Sequence, residues 1–224
     1  SEPNAGSDLA SLQTAAKLDA DGTHYVSNGG KIWPSAGDKA DWMYALVRTD
    51  SSARKQDGIS FVLIDMQDPG VSVKPIELIS GKSHFCQVFF DNVRVPQRQL
   101  IGQEGMGFMF QMMQFQEERL WGAASTLKNM DRLIDLTIDY TRERKAFGKS
   151  ILDNQVVHFR LAELRTEVEC LRALTYSAVE QYVSGKDVMR LASMAKLKCG
   201  RLSREVADAC LQYLSLIHIS EPTR

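Results

Sequence analysis

A carboxylate beside a cation is the first feature of this sequence that could do chemistry. Glu118 directly precedes Arg119 in the stretch QFQEERLWGAAS. Such a pair is most often solvated, but Phe115 and Trp121 help to make this stretch apolar on most sides, which is typical of a buried helix. In a dry pocket, desolvation raises the pKa of a carboxyl group toward the range in which it can exchange protons, and this is the chemistry that a buried carboxylate here would offer. We expect Gly122, one turn on, to leave room for a substrate.

Two early segments carry groups that could hold a planar cofactor. In SEPNAGSD, Gly6 allows close backbone approach and Ser7 offers a hydroxyl to a ligand. In KIWPS, Trp33 could form a flat aromatic wall, with the hydroxyl of Ser35 two residues on. Taken alone, the first segment is more typical of a turn and the tryptophan of sheet packing. No general base adjoins Ser7, so a nucleophilic serine is not expected.

Positive charge gathers in TRERKAFGK, with an amide side chain soon after it. A charge run at the end of a helix most often complements the helix dipole. Arg144 with the nearby Phe147 and the downstream Gln155 also suits recognition of a diphosphate and a purine. Both interpretations are open from this segment alone.

The first part of the chain has the pattern of a β domain. Short β-rich runs alternate with Gly and Asp turn signals, which favours an antiparallel sheet or flattened barrel. The predicted strands are 24–27, 42–47, 59–64, 87–90 and 93–96, with a hairpin turn at 28–30. We therefore predict a β-barrel-like domain over residues 1–103.

The remainder has the pattern of long helices. Apolar residues recur at spacings of three and four, predicting helices over 106–144, 154–183 and 188–213. Helices of this length favour an antiparallel bundle, and three of them leave an apolar face that implies a fourth helix or a partner subunit. The predicted fold is α+β and multi-domain, with an incomplete α-helical bundle over 104–213.

Composition argues against two classes of function, nucleic-acid binding and membrane association. A formal net charge of -1 gives no global field to recruit nucleic acid or an acidic membrane, and no apolar run is long enough to span a bilayer. Four cysteines without zinc-site spacing are predicted to be buried, reduced thiols: Cys86, Cys170, Cys199 and Cys210. We expect His24 and His84 to lack partners, His158 to serve packing, and no metal site.

Both ends of the sequence look truncated. There is no initiator Met, so targeting signals cannot be read. Residues 214–224, LSLIHISEPTR, break the helical pattern and resemble the translation of a common sequencing adaptor. We expect this tail to be non-native.

In combination, the segments resemble a known family. SEPNAGSD, KIWPS, GQEGMGF, QEERL, TRERKAFGK and NQVVHFRLAEL occur in the order and rough spacing of the acyl-CoA dehydrogenases, over residues 1–213. The resemblance implies FAD-dependent α,β-dehydrogenation of an acyl-CoA thioester to the trans-2-enoyl-CoA in fatty acid β-oxidation. A carboxylate removes the α proton, a β-hydride passes to flavin N5, and an electron-transferring flavoprotein accepts the electrons.

The resemblance also implies roles for the β-domain residues. Ser1, Gly6 and Ser7 match residues that contact the isoalloxazine and pyrophosphate of FAD, and Ser7 also lies near the acyl-CoA. Ser1 stands where Thr is usual, which keeps the hydroxyl. Trp33 and Ser35 match residues that lie against the flavin ring near N5, while an intervening Pro replaces the usual Ile.

In the helical domain, the resemblance implies a subunit-spanning site. Arg144, Phe147 and Gln155 match residues that reach FAD from a neighbouring subunit of a homotetramer built as a dimer of dimers. Glu118 matches the base of the long-chain and isovaleryl branch, whose base lies on the first long helix, and the interval from Arg119 to Arg144 selects it over the preceding glutamate. Arg119 would help to hold the acyl-CoA.

Three alternatives remain at this level. An acyl-CoA oxidase shares the fold and passes electrons to oxygen. A non-catalytic relative or helical interaction module would keep the fold without the chemistry, and the fragment alone could fail to fold stably or to bind FAD. The resemblance implies a bacterial cytoplasm or mitochondrial matrix, whereas acyl chain length and branching are not predicted.

Overall fold

A computed structural model describes residues 1–214 and separates into two compact units, Ser1–Met112 and the residues from Met113 onward. The adaptor-like tail lies outside the described residues, apart from Leu214. That residue is the last of the third long helix, so the helical pattern does not break before it.

The first unit is built on one seven-stranded sheet. Its strands are β1 (Ala15–Leu18), β2 (His24–Ser35), β3 (Trp42–Arg48), β4 (Ile59–Asp65), β5 (Val71–Ile76), β6 (Phe85–Pro96) and β7 (Leu100–Ile101). The spatial order is β5-β6-β2-β1-β3-β4-β7. Every pairing is antiparallel except that of β1 with β3. The predicted antiparallel β domain is therefore present, although β1, β5 and β7 were not predicted.

The predicted hairpin turn at residues 28–30 is wrong. Strand β2 runs straight through this segment, with a register shift against β6 between Ser27 and Gly29. At Gly29, φ is +139°, and an added Cβ would lie 2.8 Å from Cα of Thr14. Glycine is needed here for a bulge and a close backbone approach rather than for a chain reversal. The two predicted runs 87–90 and 93–96 are likewise parts of the single strand β6.

Three helices make up most of the second unit, together with a small hairpin. Helix α1 spans Gly107–Glu143, α2 spans Gln155–Val183 and α3 spans Met189–Leu214. Each bound lies within one residue of the predicted one. Between α1 and α2, strands β8 (Lys145–Ala146) and β9 (Lys149–Ser150) form a hairpin.

Each unit has its own core, assembled from the apolar faces of its elements. In the β unit, strands from both halves of the sheet bury Tyr25, Val47, Val62, Ile64 and Val88. In the helical unit, the stripes of the three helices meet at Leu127, Ile134, Leu164, Leu171 and Leu202. Three cysteines are buried as predicted, but Cys170 is exposed because it lies next to the α2 stripe rather than on it. None of the helices between residues 1 and 214 could cross a membrane.

Candidate active site

A groove of about 390 Å³ in the β unit brings three of the candidate residues together. Ser1, Trp33 and Ser35 line it, and aromatic side chains from β3 extend its wall. Those additional residues are Trp42 and Tyr44, both exposed. They were missed, although they alternate on β3 with inward-facing residues, a period of two that could have revealed a shared aromatic face.

Trp33 adopts a backbone conformation that a bulky residue rarely takes. Its φ is +74°, at an irregularity of β2 between Ile32 and Ser35. The residue is 51% exposed, and its indole ring touches Phe85 edge-on, with ring centroids 6.1 Å apart. Positive φ is costly for such a residue and persists where the surrounding structure imposes it, often at functional sites. The backbone strain therefore coincides with a ring presented to the groove rather than to the core.

The SEPNAGSD loop is a tight turn fixed to the edge of this groove. Glu2 and Ala5 exchange two backbone hydrogen bonds of 3.1 Å each, and the Ala5 side chain is buried. At Gly6, an added Cβ would meet nothing within 4 Å, so a ligand has open access to this stretch of backbone. Ser7 is exposed. Neither Gly6 nor Ser7 belongs to the lining of the groove that holds Ser1.

A buried ion pair behind the groove was also missed. Nζ of Lys31 lies 2.7 Å from Oε1 of Glu2, and both side chains are almost completely buried. Burial alone would raise the pKa of the Glu2 carboxyl, but hydrogen bonds from Lys31, Thr14 and Gln13 lower that pKa to about 2. Lys31 lies between the partly buried Gly30 and Ile32, and a lysine within a β-rich run was the available sequence signal.

Glu118 lies on an exposed face of α1, which corrects one expectation about its surroundings. The stretch is not buried on most sides: Leu120 is buried, but Glu118 and Ala124 are exposed and Trp121 is 73% exposed. Sequence shows that residues are apolar, but not which of them the fold covers. Within residues 1–214, no hydrogen bond or ion pair engages the Glu118 carboxylate. It is flanked one turn before and after by Phe115 and Trp121.

The polar neighbours of Glu118, in contrast, have structural partners. The side-chain oxygen of Gln116 accepts a hydrogen bond of 2.9 Å from the backbone N–H of Val188, just before α3 begins. Arg119 donates to Sδ of Met189 at 2.8 Å, and its guanidinium lies 5.2 Å from the centroid of the Phe115 ring. Gln116 and Arg119 therefore tie α1 to the start of α3, while the adjacent carboxylate is left unengaged.

Arg144 lies just after α1, Phe147 at the hairpin and Gln155 at the start of α2, and all three are exposed. The Arg144 guanidinium hydrogen-bonds the Tyr140 hydroxyl. Phe147 is fully exposed at the tip of the hairpin with φ of +53°, followed by Gly148 at +79°. This turn favours Asn-Gly, so an exposed Phe there is strained and gains nothing from the core of its own chain.

Comparison with known proteins decides the family. Residues 1–93 match the profile described as "Acyl-CoA dehydrogenase, middle domain", and residues 105–216 match "Acyl-CoA dehydrogenase, C-terminal domain". The chain belongs to the acyl-CoA dehydrogenase family.

Individual relatives agree with this assignment. The chain is 35% identical over 214 residues to a cyclohexane-1-carbonyl-CoA dehydrogenase of Geobacter metallireducens, covering 95% of this chain and 55% of that one. It is 33% identical over 216 residues to the mitochondrial short/branched chain specific acyl-CoA dehydrogenase of Bos taurus, covering 96% and 49%. The chain thus spans about half the length of the curated relatives it matches.

A solved structure gives the same result for the fold. The crystal structure of an acyl-CoA dehydrogenase from Geobacillus kaustophilus matches with a TM-score of 0.93 at 32% identity. The match covers 99% of this chain and 58% of that chain.

Family membership indicates FAD as the cofactor, and the groove in the β unit fits a flavin ring. A flat aromatic wall suits a planar heteroaromatic system, and the hydroxyls of Ser1 and Ser35 can hydrogen-bond its polar edge. The open space beside Gly6 leaves its backbone accessible to a ligand. The residues of this chain are therefore compatible with the cofactor.

The expectation for Gly122 is not supported by its surroundings. A Cβ built there points at Lys196 of α3, 3.4 Å from Cε and 3.6 Å from Nζ, rather than into open space. This is ordinary contact with a flexible side chain, and alanine is a better helix former than glycine. We expect Gly122→Ala to raise the free energy of unfolding by about 0.5–1 kcal/mol in chemical denaturation.

Gly200→Ala on α3 is the matched control, because a Cβ there meets nothing within 4 Å. It should give a similar gain. Destabilisation by Gly122→Ala alone would contradict the packing argument, and a fall in acyl-CoA turnover confined to that variant would restore the idea that Gly122 makes room for substrate.

The histidine expectations are partly wrong. Nδ1 of His24 lies 2.7 Å from Oγ1 of Thr23, and His24 groups with Asp19 and Asp21 so that their ligand-type atoms lie within 4.8 Å of one another. His24 therefore has partners, because strand β2 begins beside the Asp19 turn. His158 bonds the carbonyl of Leu152 at 2.9 Å, in agreement with a packing role.

Proposed function

We propose that this chain carries the flavin-ring site and the catalytic base of an FAD-dependent acyl-CoA dehydrogenase. The observation that carries the proposal is Trp33, held at positive φ with its ring facing a groove that Ser1 and Ser35 also line. Family membership supports the flavin assignment, and half of Trp33 stays exposed although its ring touches Phe85. Residues 1–103 would form the middle β domain and residues 104–213 the incomplete helical domain.

Glu118 is proposed as the base that removes the α proton of the thioester. Its carboxylate is unengaged within residues 1–214, while Gln116 and Arg119 on either side have structural partners. A ligand that covered the face between Phe115 and Trp121 would exclude water from the carboxylate, which would raise its pKa toward the working pH. When bound, FAD supplies the two-electron acceptor that takes a hydride from the β carbon.

Arg119 is proposed to help to hold the acyl-CoA. A guanidinium carries five N–H donors, and the contact with Met189 uses only one nitrogen and a weak acceptor. Donors therefore remain for an anionic or carbonyl group of the substrate. Ser7, exposed beside Gly6, is proposed to contact both FAD and acyl-CoA.

A subunit-spanning site is proposed for Arg144, Phe147 and Gln155. All three are exposed, and within residues 1–214 the strained Phe147 is fully exposed, so burial does not account for its position. A neighbouring subunit of a homotetramer would supply that contact through its FAD. An electron-transferring flavoprotein is the proposed acceptor, and the bacterial cytoplasm or mitochondrial matrix the proposed compartment.

The dehydrogenase is distinguished from its rivals by the fate of the electrons. The protein expressed from its complete gene should contain FAD, and acyl-CoA oxidation should depend on an electron-transferring flavoprotein. Peroxide formed in proportion to product without that acceptor would instead identify an oxidase. A purified protein that lacks flavin and ignores every acyl-CoA would support the non-catalytic alternative.

A further inference from the structure

The buried pair Glu2–Lys31 joins the two segments that line the flavin groove. Nζ of Lys31, on β2, donates to Oε1 of Glu2 at 2.7 Å and to the carbonyl oxygen of Leu46, on β3, at 2.6 Å. Only 8% of Glu2 and 5% of Lys31 is exposed. The pair therefore crosslinks the SEPNAGSD loop to two strands inside the β unit.

The Glu2 carboxylate is also fixed from a third direction. Its Oε2 accepts the backbone N–H of Gln13 at 2.6 Å, and its Oε1 accepts that of Thr14 at 3.0 Å. Every strong partner of this carboxylate is thus a group of the β unit itself. Its orientation is determined by two separate segments of the chain, β2 and residues 13–14.

The residues beside the pair are those that line the groove. Ser1 precedes Glu2, and its carbonyl oxygen accepts the backbone N–H of Ile32 at 2.9 Å. Ile32 separates Lys31 from Trp33. A shift of the loop against β2 would therefore change the spacing between Ser1 and Trp33 directly.

Stability alone is a poor explanation for such a pair. Desolvating two charges offsets most of their attraction, and replacing a buried ion pair with well-packed hydrophobic residues of similar volume is often neutral or stabilising. A pair that fixes the position of two segments relative to each other is useful even when it adds nothing to the free energy of unfolding. The partners of the pair at residues 13–14 and on β3 provide the contacts that such a role needs.

We propose that Glu2 and Lys31 are positioning residues, which hold the Ser1 carbonyl and hydroxyl in register with Trp33 and Ser35 in the groove. The consequence for flavin rests on the proposed function, whereas the register itself does not. Neither residue needs to touch the cofactor.

The test removes both charges while keeping the shapes, in the double variant Glu2→Gln/Lys31→Met of the protein expressed from its complete gene. Each single variant leaves a buried charge unpaired and should have a lower free energy of unfolding than the wild type in chemical denaturation. The double variant should be more stable than either single variant, although the glutamine amide offers one acceptor oxygen to the two backbone N–H groups that the carboxylate binds. Its Ile32 amide should nevertheless exchange hydrogen at least about tenfold faster in the flavin-free protein, since the loop is no longer fixed.

In the holoprotein, the double variant should bind FAD at least about tenfold more weakly and show a shifted visible flavin spectrum. The exposed pair Arg54–Asp57, with a nitrogen–oxygen distance of 3.0 Å, provides the control Arg54→Met/Asp57→Asn, which should change none of these quantities.

Three results would overturn the inference. The first is a wild-type rate of hydrogen exchange at the Ile32 amide of the double variant. The second is wild-type FAD affinity and flavin spectrum in that variant. The third is failure of the double variant to fold, which would make the pair a requirement of the fold. If the wild-type protein bound no FAD, the proposed function would fail, while the exchange of Ile32 would still decide the positioning role.

Discussion

Replacing Glu118 by glutamine is expected to slow flavin reduction by acyl-CoA about a thousandfold or more, within the range typical of a lost general base. Glutamine keeps the size of the side chain but cannot accept the α proton. FAD affinity and stability should not change, because the carboxylate has no hydrogen bond or ion pair within residues 1–214. Anaerobic stopped-flow measurement of flavin absorbance after mixing with acyl-CoA gives the rate.

Glu117→Gln is the matched control, because Glu117 is the preceding residue of α1 and is also exposed. It should reduce flavin at close to the wild-type rate. Equal rates in the two variants would remove Glu118 from the chemistry, and a large loss in Glu117→Gln alone would move the base by one residue.

Replacing Phe147 by asparagine is expected to weaken FAD binding about tenfold to a hundredfold, the effect of losing one aromatic stacking contact of about 1–3 kcal/mol. The same change should not reduce the free energy of unfolding of the chain. Phe147 is fully exposed with φ of +53°, and asparagine tolerates that conformation better than phenylalanine. FAD titration and chemical denaturation measure the two effects.

Ile79→Asn serves as the control for Phe147, since Ile79 is also a fully exposed apolar side chain but lies in a loop of the β unit. It should leave FAD affinity unchanged. Unchanged affinity in Phe147→Asn would contradict the proposed contact, and a loss of stability would mean that the ring serves its own chain.

The helices were predictable to within one residue because apolar spacing repeats over 26 to 37 residues in each of them. The strands of the sheet were less predictable. Strand β1 has only four residues and β5 contains Pro75, so neither carries a clear alternating pattern. The sequence Asn28-Gly29-Gly30 usually marks a turn, but here the approach of Thr14 to Gly29 requires glycine within a strand.

The candidate site, like the fold, was predictable only in part. Residues whose chemistry is visible in their type, such as Trp33 and Ser35, could be selected in advance, and the structure brings both to one groove with Ser1. The hydrogen-bond partners of a side chain could not be selected in advance. Gln116 bonds Val188 from 72 positions away, and Glu2 bonds Lys31 from 29 positions away. Only the folded chain brings such groups together.

The central claim is that this chain carries the flavin-ring site and the base of an acyl-CoA dehydrogenase. The most direct measurement is anaerobic titration of the protein expressed from its complete gene with a panel of straight-chain, branched and cyclic acyl-CoAs. We predict that at least one bleaches the oxidised flavin band and yields the 2-enoyl-CoA, and that Glu118→Gln binds the same compound without bleaching. A flavin that no acyl-CoA bleaches, or bleaching that is unchanged in Glu118→Gln, would contradict the account.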